Sequence, residues 1–349
     1  MTPTTPIPPL PAMARHSAIA HAAYHDLLRA LLDDRVGELR GTPTRVERGG
    51  KVYWYDSYRV GTEVRKAYVG EDGPALRARL DRHAALRAEA GARGRDRARL
   101  VRILRAEGFM GLDATTGSLL AALAAAGVFR LGGTVVGTHA FRLYEGELGL
   151  RFRLDDTAQT GDLDIASFGR LSLALDDRTD PPVAAVLKDF AFDPVPSLDS
   201  APAWRWRQSR GEALVEFLTP AFGAEGVQPL AALGVTARAL RHLNYLIADP
   251  IPAAVLYRSG VLVQIPRPER FAIHKLIVAD RRQDRDRLKA AKDRRQAALL
   301  IRALAEDRPD DLREALEDAQ ARGPRWRARI AASLGRMPDT AALLGAGPG

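Results

Sequence analysis

Apolar residues recur at helical spacing through Ala18–Leu39 (AIAHAAYHDLLRALLDDRVGEL), and Gly41-Thr42-Pro43 supplies a stop. Thr44–Gly70 then alternates aromatic or β-branched with polar residues, which predicts a strand pair turning near Val60-Gly61-Thr62. Pro74–Glu107, dense in Arg, Ala and Leu, reads as a long helical arm broken at Gly91–Gly94. Ala114–Ala126 is expected as a buried helix, and Phe129–Val136 as a strand running into a glycine turn at Gly137. Leu171–Leu175 reads as a strand, Asp176–Pro182 as a turn, Ala184–Phe190 as a short helix and Pro194–Ala203 as a loop. Trp204–Arg210 and Ala213–Leu218 read as strands around Gly211. The pattern predicts an amphipathic helix over Gly234–Ile247 and a hairpin over Ala253–Ile265, turning at Ser259-Gly260. Arg270–Leu304, opened by Pro266, Pro268 and Glu269, is the strongest helical stretch, and Asp307–Gly349 is a helical extension with a low-complexity end.

The candidate chemistry sits on two short pieces of this pattern. In Asp162-Leu163-Asp164-Ile165 the strand alternation puts both carboxylates on one side and both apolar residues on the other. Two carboxylates held this close repel unless a cation lies between them, and hard oxygen donors suit Mg²⁺. Upstream, Val135-Val136-Gly137-Thr138 offers a glycine where backbone N–H groups can approach a phosphate. Val215-Glu216-Phe217 supplies a further acid between two apolar residues; alone it also fits the solvent face of any strand. Asp155 and Asp156 have no supporting alternation and read as loop. His139 and His274 have no metal-ligand partner at useful spacing and read as packing or polar-network residues rather than bases.

Gly-Thr-His-Ala followed by Asp-Leu-Asp-Ile-Ala resembles the hG[GS]…Dh[DE]h signature of the polymerase-β-like nucleotidyltransferase superfamily. From about Met13 to about Leu304 the chain resembles a bacterial family of that fold, and more distantly the AbiEii-type toxins. Gly137 lies farther from Asp162 than in minimal members, so an inserted hairpin over Leu148–Leu154 is expected. The resemblance implies an α+β fold with a polymerase-β-like core at 108–230. Before it come a tail at 1–12, a helix-plus-hairpin region at 13–73 and an arm at 74–107; a mostly helical domain at 231–349 follows. It implies that Asp162, Asp164 and Glu216 bind two Mg²⁺ (or Mn²⁺) ions, with Glu where the family commonly has Asp. Gly137 and Thr138 would hold the β- and γ-phosphates of the NTP donor. Lys275, in an apolar helical turn, would neutralise the triphosphate from the start of its helix. Asp293, in the later Lys-Asp pair, would fix that helix or contact base or ribose. Only six lysines occur in the chain and three fall in this stretch, so Lys275 looks chosen as a compact ammonium.

Composition narrows the alternatives. The 349 residues suffice for two or three domains, and 46% apolar residues is ordinary for a globular protein. There is no cysteine, which excludes disulfides, thiol nucleophiles and zinc–thiolate sites. No apolar run is long enough for a membrane helix, and the proline-rich residues 1–12 lack signal-peptide order, so a cytoplasmic location is expected. The net charge of +9 is carried almost wholly by arginine. That fits either the codon bias of a high-GC genome or a polyanion-binding surface. Tyr53, Tyr55, Tyr58 and Tyr68 among Arg59, Arg65 and Lys66 fit either a nucleic-acid surface or a small sheet packed on the first helix. Two functions follow: a metal-dependent transferase moving NMP to RNA, tRNA or protein, or an inactive nucleotide- or nucleic-acid-binding module on the same fold.

Overall fold

The computed structural model describes residues 13–36, 39, 42–60, 63–152, 162–169, 177–196, 202–282 and 286–345. The central sheet is built on β10 (Leu214–Pro220) and β7 (Asp162–Ala166), which run parallel. β5 (Thr134–Val136) lies antiparallel on the far side of β7. The other edge of β10 is shared: β9 (Arg205–Gln208) covers its first half antiparallel, and β12 (Val235–Leu240) covers its end parallel. β8 (Phe192–Pro194) and β11 (Val227–Leu230) extend the two sides. The alternation works as expected from period two: Leu163, Ile165, Val215, Phe217, Ala237 and Ala239 are all at most 2% exposed on the inner face. Against that face pack α3 (Ala114–Ala125), α4 (Gly137–Leu148) and α5 (Val183–Asp189). The same core takes in α7 (Pro268–Arg281) and α8 (Arg287–Asp307), with α9 (Pro309–Ala321), α10 (Pro324–Leu334) and α11 (Pro338–Leu343) behind them. Between the sheet and these helices run the short α6 (Leu243–Leu246) and the hairpin β13 (Ile251–Val255) with β14 (Val261–Ile265).

A second, smaller core joins α1 (Ala18–Val36) and the end of α2 (Pro74–Ala106) to that hairpin through Tyr24, Leu27, Leu104, Phe109, Ala254 and Leu256. α2 is continuous, where a break at Gly91–Gly94 was expected. A helical glycine costs only about 1 kcal/mol, and this turn is tied to α1: Arg93 Nε donates to Asp34 at 2.6 Å, and Arg97 joins the same carboxylate.

Several other expectations change. The N-terminal strand pair is a three-stranded meander, β2 (Thr42–Arg48), β3 (Lys51–Val60) and β4 (Glu63–Glu71). Gly49-Gly50, both at positive φ, form the first turn. The tyrosines do not cover a core, since Asp56 is the one buried side chain among those described in this sheet. Tyr53 and Tyr55 instead group around Tyr68, which is 60% exposed, and the Tyr58 side chain lies outside the described residues. Phe129–Gly132 is turn, leaving only Thr134–Val136 as strand. No hairpin forms at Leu148: α4 runs up to it, and β6 (Leu150–Arg151) pairs with β1 (Ala14–Arg15) from the far N-terminus. The helix expected over Gly234–Ile247 is mostly β12, which places the sheet across residue 230. Its Ala, Arg and Leu favour helix locally, but pairing with β10 and β11 overrides a weak propensity. Arg270–Leu304 divides into α7 and α8. The strand at Leu171–Leu175, Asp155, Asp156 and residues 1–12 fall outside the described residues.

α4 is anchored at its rear by a buried pair. Glu145 accepts from the Met110 N–H at 2.6 Å and lies 3.1 Å from His16 Nε2, while the His16 ring stacks on Phe109. Burial raises the Glu145 pKa to about 7 and lowers that of His16 to about 4, so the neutral forms of both are favoured. A raised carboxyl contributes stability at low pH that is lost as pH climbs from the unfolded value through about 7. Glu145→Gln mimics the protonated acid. Urea denaturation should therefore find it equal to wild type near pH 4 and more stable at pH 8.5, by up to about 3 kcal/mol. Equal stabilities at both pH values would refute a protonated Glu145.

Candidate active site

β7 and β10 bring the three acids together. Glu216 stands beside Asp164 in register, and Asp162 is two residues away on the same strand, so all three project from one face. This gathering joins positions 52 residues apart that the sequence offered only as separate signals. The face is half-buried, so negative charge is concentrated where water screens it poorly. Burial, then the charges of Glu216 and Asp162, push Asp164 up to about 7, against an opposing pull from Lys275 and Lys292. Burial and Asp162 likewise raise Glu216, which Arg205, Arg238 and Lys289 partly offset. Like charges held this close are relieved by a proton or by a cation between them. Among the described residues, no three His, Asp or Glu side chains form a ready-made metal cage.

Gly137 does not make a turn between strands; it is the first residue of α4. Its φ is +67°, and a Cβ built there would lie 2.3 Å from Asp164 Oδ2. The absent side chain is what lets the acid and the helix N-terminus meet. Val136, the N-cap, has no polar side chain to cap the helix, so the first N–H groups of α4 keep their capacity to bind an anion. Lys292 of α8 donates to Thr138 Oγ1 at 3.0 Å, adding a cation to this terminus. Carboxylates on the strand and anion donors on the helix thus stand side by side.

Lys275 lies within α7 rather than at its start, and its ammonium is committed to Asp293 at 2.6 Å. Arg282 Nε takes the other oxygen of Asp293 at 2.6 Å. Burial alone would raise the Asp293 carboxyl, but Lys275 and Arg282 outweigh it and hold it below the ordinary range. Asp293 therefore ties α8 to α7, and Lys275 acts on the acids at a distance through its charge. His139 and His274 are both kept neutral by burial, at about 4 and about 3. His139 is buried in the first turn of α4, and neither ring nitrogen has a partner among the described residues. Sequence reading missed Lys292, although its neighbour Asp293 was selected, and it missed Arg205 and Arg238. Only the fold brings these three to the acids.

The family model described as Nucleotidyltransferase matches residues 114–321, more than half of the chain. The chain belongs to this nucleotidyltransferase family. The matched stretch of the nucleotidyltransferase opens with α3 and closes with α9, and it includes the three acids, the N-terminus of α4, Lys275, Lys292 and Asp293. A domain of unknown function (DUF6788) matches residues 23–78, from within α1 to the start of α2. No curated protein and no solved structure matches the chain. Among the described residues, no helix is long and apolar enough to cross a membrane.

Proposed function

We propose that the protein transfers a nucleoside monophosphate from an NTP to a hydroxyl of a nucleic-acid acceptor, on a polymerase-β-like core. The observation carrying this is the juxtaposition of Asp162, Asp164 and Glu216 with the N-terminus of α4 across Gly137. Asp162, Asp164 and Glu216 would hold Mg²⁺ or Mn²⁺, whose charge neutralises the phosphates and developing oxyanions of an in-line displacement. The α4 N–H groups, the Thr138 hydroxyl and Lys292 hold the β- and γ-phosphates. The acceptor oxygen bonds to the α-phosphorus, the bond to the bridging oxygen breaks, and pyrophosphate leaves. The hydroxyl proton passes to a carboxylate oxygen of Glu216, the acid on the acceptor side of the strand pair. Asp293 keeps α7 and α8 together, so that Lys275 and Lys292 stay near the acids.

Incubation with Mg²⁺, each α-³²P-labelled NTP, total RNA and lysate protein tests the proposal. Label on RNA supports it. No label with any NTP, despite nucleotide binding, would favour the inactive binding module. Lys292→Ala should raise KM for the NTP about tenfold or more while changing kcat less, because a ground-state phosphate contact is lost. An unchanged KM would remove Lys292 from the phosphate site.

A further inference from the structure

The acid face does not end at Glu216. On the edge of β10 away from β7, β9 ends and β12 takes over, and Trp204 lies at that junction. Its carbonyl accepts from the Phe217 N–H at 2.9 Å, and the adjoining Ala203 carbonyl accepts from Thr236 Oγ1 at 2.6 Å. Arg205 stands beside Glu216 in register, and Arg238 stands beside Leu218, two residues along on the same face. Both guanidiniums lie 5.2 Å from the Trp204 ring centroid. Among the described residues neither forms an ion pair or a hydrogen bond with a carboxylate, although both add positive charge at Glu216. Lys289, exposed in the first turn of α8, adds to the positive field at Glu216.

We infer that Arg205 and Arg238, organised by Trp204, form an acceptor subsite that clamps the phosphodiester backbone of a single-stranded polynucleotide and brings its sugar hydroxyl to Glu216. This rests on the transfer reading above and narrows its nucleic-acid acceptor to a single strand held at the β9–β12 edge. A guanidinium presents a planar fork that matches phosphate oxygens, and cation–π contact with tryptophan fixes its position without consuming its hydrogen-bond donors. The placement divides the labour across one sheet. The donor phosphates belong to α4 beyond β7, the cation belongs between, and the acceptor phosphates belong to the β9–β12 edge. A neutral protein hydroxyl would leave two organised guanidiniums beside the third acid with nothing to bind.

The test is fluorescence anisotropy with a 5′-labelled single-stranded RNA of mixed sequence, titrated at several salt concentrations. Each phosphate contact on a single strand contributes about 0.7 to the slope of log K against log salt. Arg205→Gln/Arg238→Gln should bind the RNA about tenfold more weakly or worse, with a slope smaller by about 1.4. Arg205→Lys/Arg238→Lys should recover most of the slope, showing that charge rather than folding is at issue. An unchanged slope and affinity in the Gln pair would overturn the clamp. So would wild-type protein that binds no RNA but labels a lysate protein. Failure of the transfer reading would look different: no label from any NTP, with the slope difference between wild type and the Gln pair intact.

Discussion

Asp164→Asn should lose nucleotidyl transfer by about a hundred- to a thousandfold while folding at least as well as wild type. The size follows from removing a carboxylate that would hold the divalent cation against the reacting phosphate in a poorly screened site, where one preorganised electrostatic group is commonly worth about a hundred- to thousandfold. The stability direction follows from the carboxyl itself. Its pKa is raised to about 7 by burial and by Glu216 and Asp162, so the folded state holds the proton more tightly than the unfolded state. The stability from that proton is present at low pH and is lost as pH rises through about 7. Asparagine has nearly the same shape and no charge to bury. Without Mg²⁺ at pH 8, the Asn variant should therefore melt at or above the wild-type temperature. Mg²⁺ should then raise the wild-type melting temperature and leave the variant's nearly unchanged. A variant that transfers label at the wild-type rate would remove Asp164 from the chemistry. A less stable variant would mean that the carboxylate is held by contacts which its raised pKa does not reflect.

Gly137→Ala should cost more in activity than in stability. At φ +67° an L-residue costs about 1–2 kcal/mol. The added Cβ would sit 2.3 Å from Asp164 Oδ2 and 3.3 Å from Asp164 Cγ, so the carboxyl must turn and the side chain shift slightly to relieve the clash. The backbone survives and the carboxylate leaves its place. Displacement of a reacting group by about 1 Å can cost a hundredfold in rate, and a loss of about that size is expected in label transfer. Urea denaturation of the same variant should show a destabilisation of only about 1–2 kcal/mol. Wild-type transfer by the Ala variant would show that contact between the α4 terminus and Asp164 is irrelevant to the reaction.

The particular residues show how far local pattern reaches. Asp162 and Asp164 were legible as a pair because alternation in a strand is a property of consecutive residues, and the buried Leu163 and Ile165 follow the same rule. Glu216 was legible as a candidate acid for the same reason. Gly49-Gly50 carried a turn signal that the sequence reading passed over. β12 was misread because Ala, Arg and Leu fit a helix in isolation, while its partners β10 and β11 are invisible to a local window. Gly137 was recognised as a glycine that something needs, but as a turn between strands rather than as the first residue of a helix. Lys275 was chosen for its rarity, and the structure commits it to Asp293 while Lys292 reaches Thr138.

The sequence by itself determined which residue types were available and which side of each strand they face, since periodicity needs no distant partner. It determined a mixed α and β chain, a paired-carboxylate strand and a glycine leading to it. Tertiary structure decided the rest. Register between β7 and β10 sets Glu216 beside Asp164, and the α8 packing carries Lys292 to a threonine 154 residues away. The junction of β9 with β12 aligns Arg205, Trp204 and Arg238. These are long-range pairings, fixed by burial of the opposite faces of the same elements. No local run of residues can specify them.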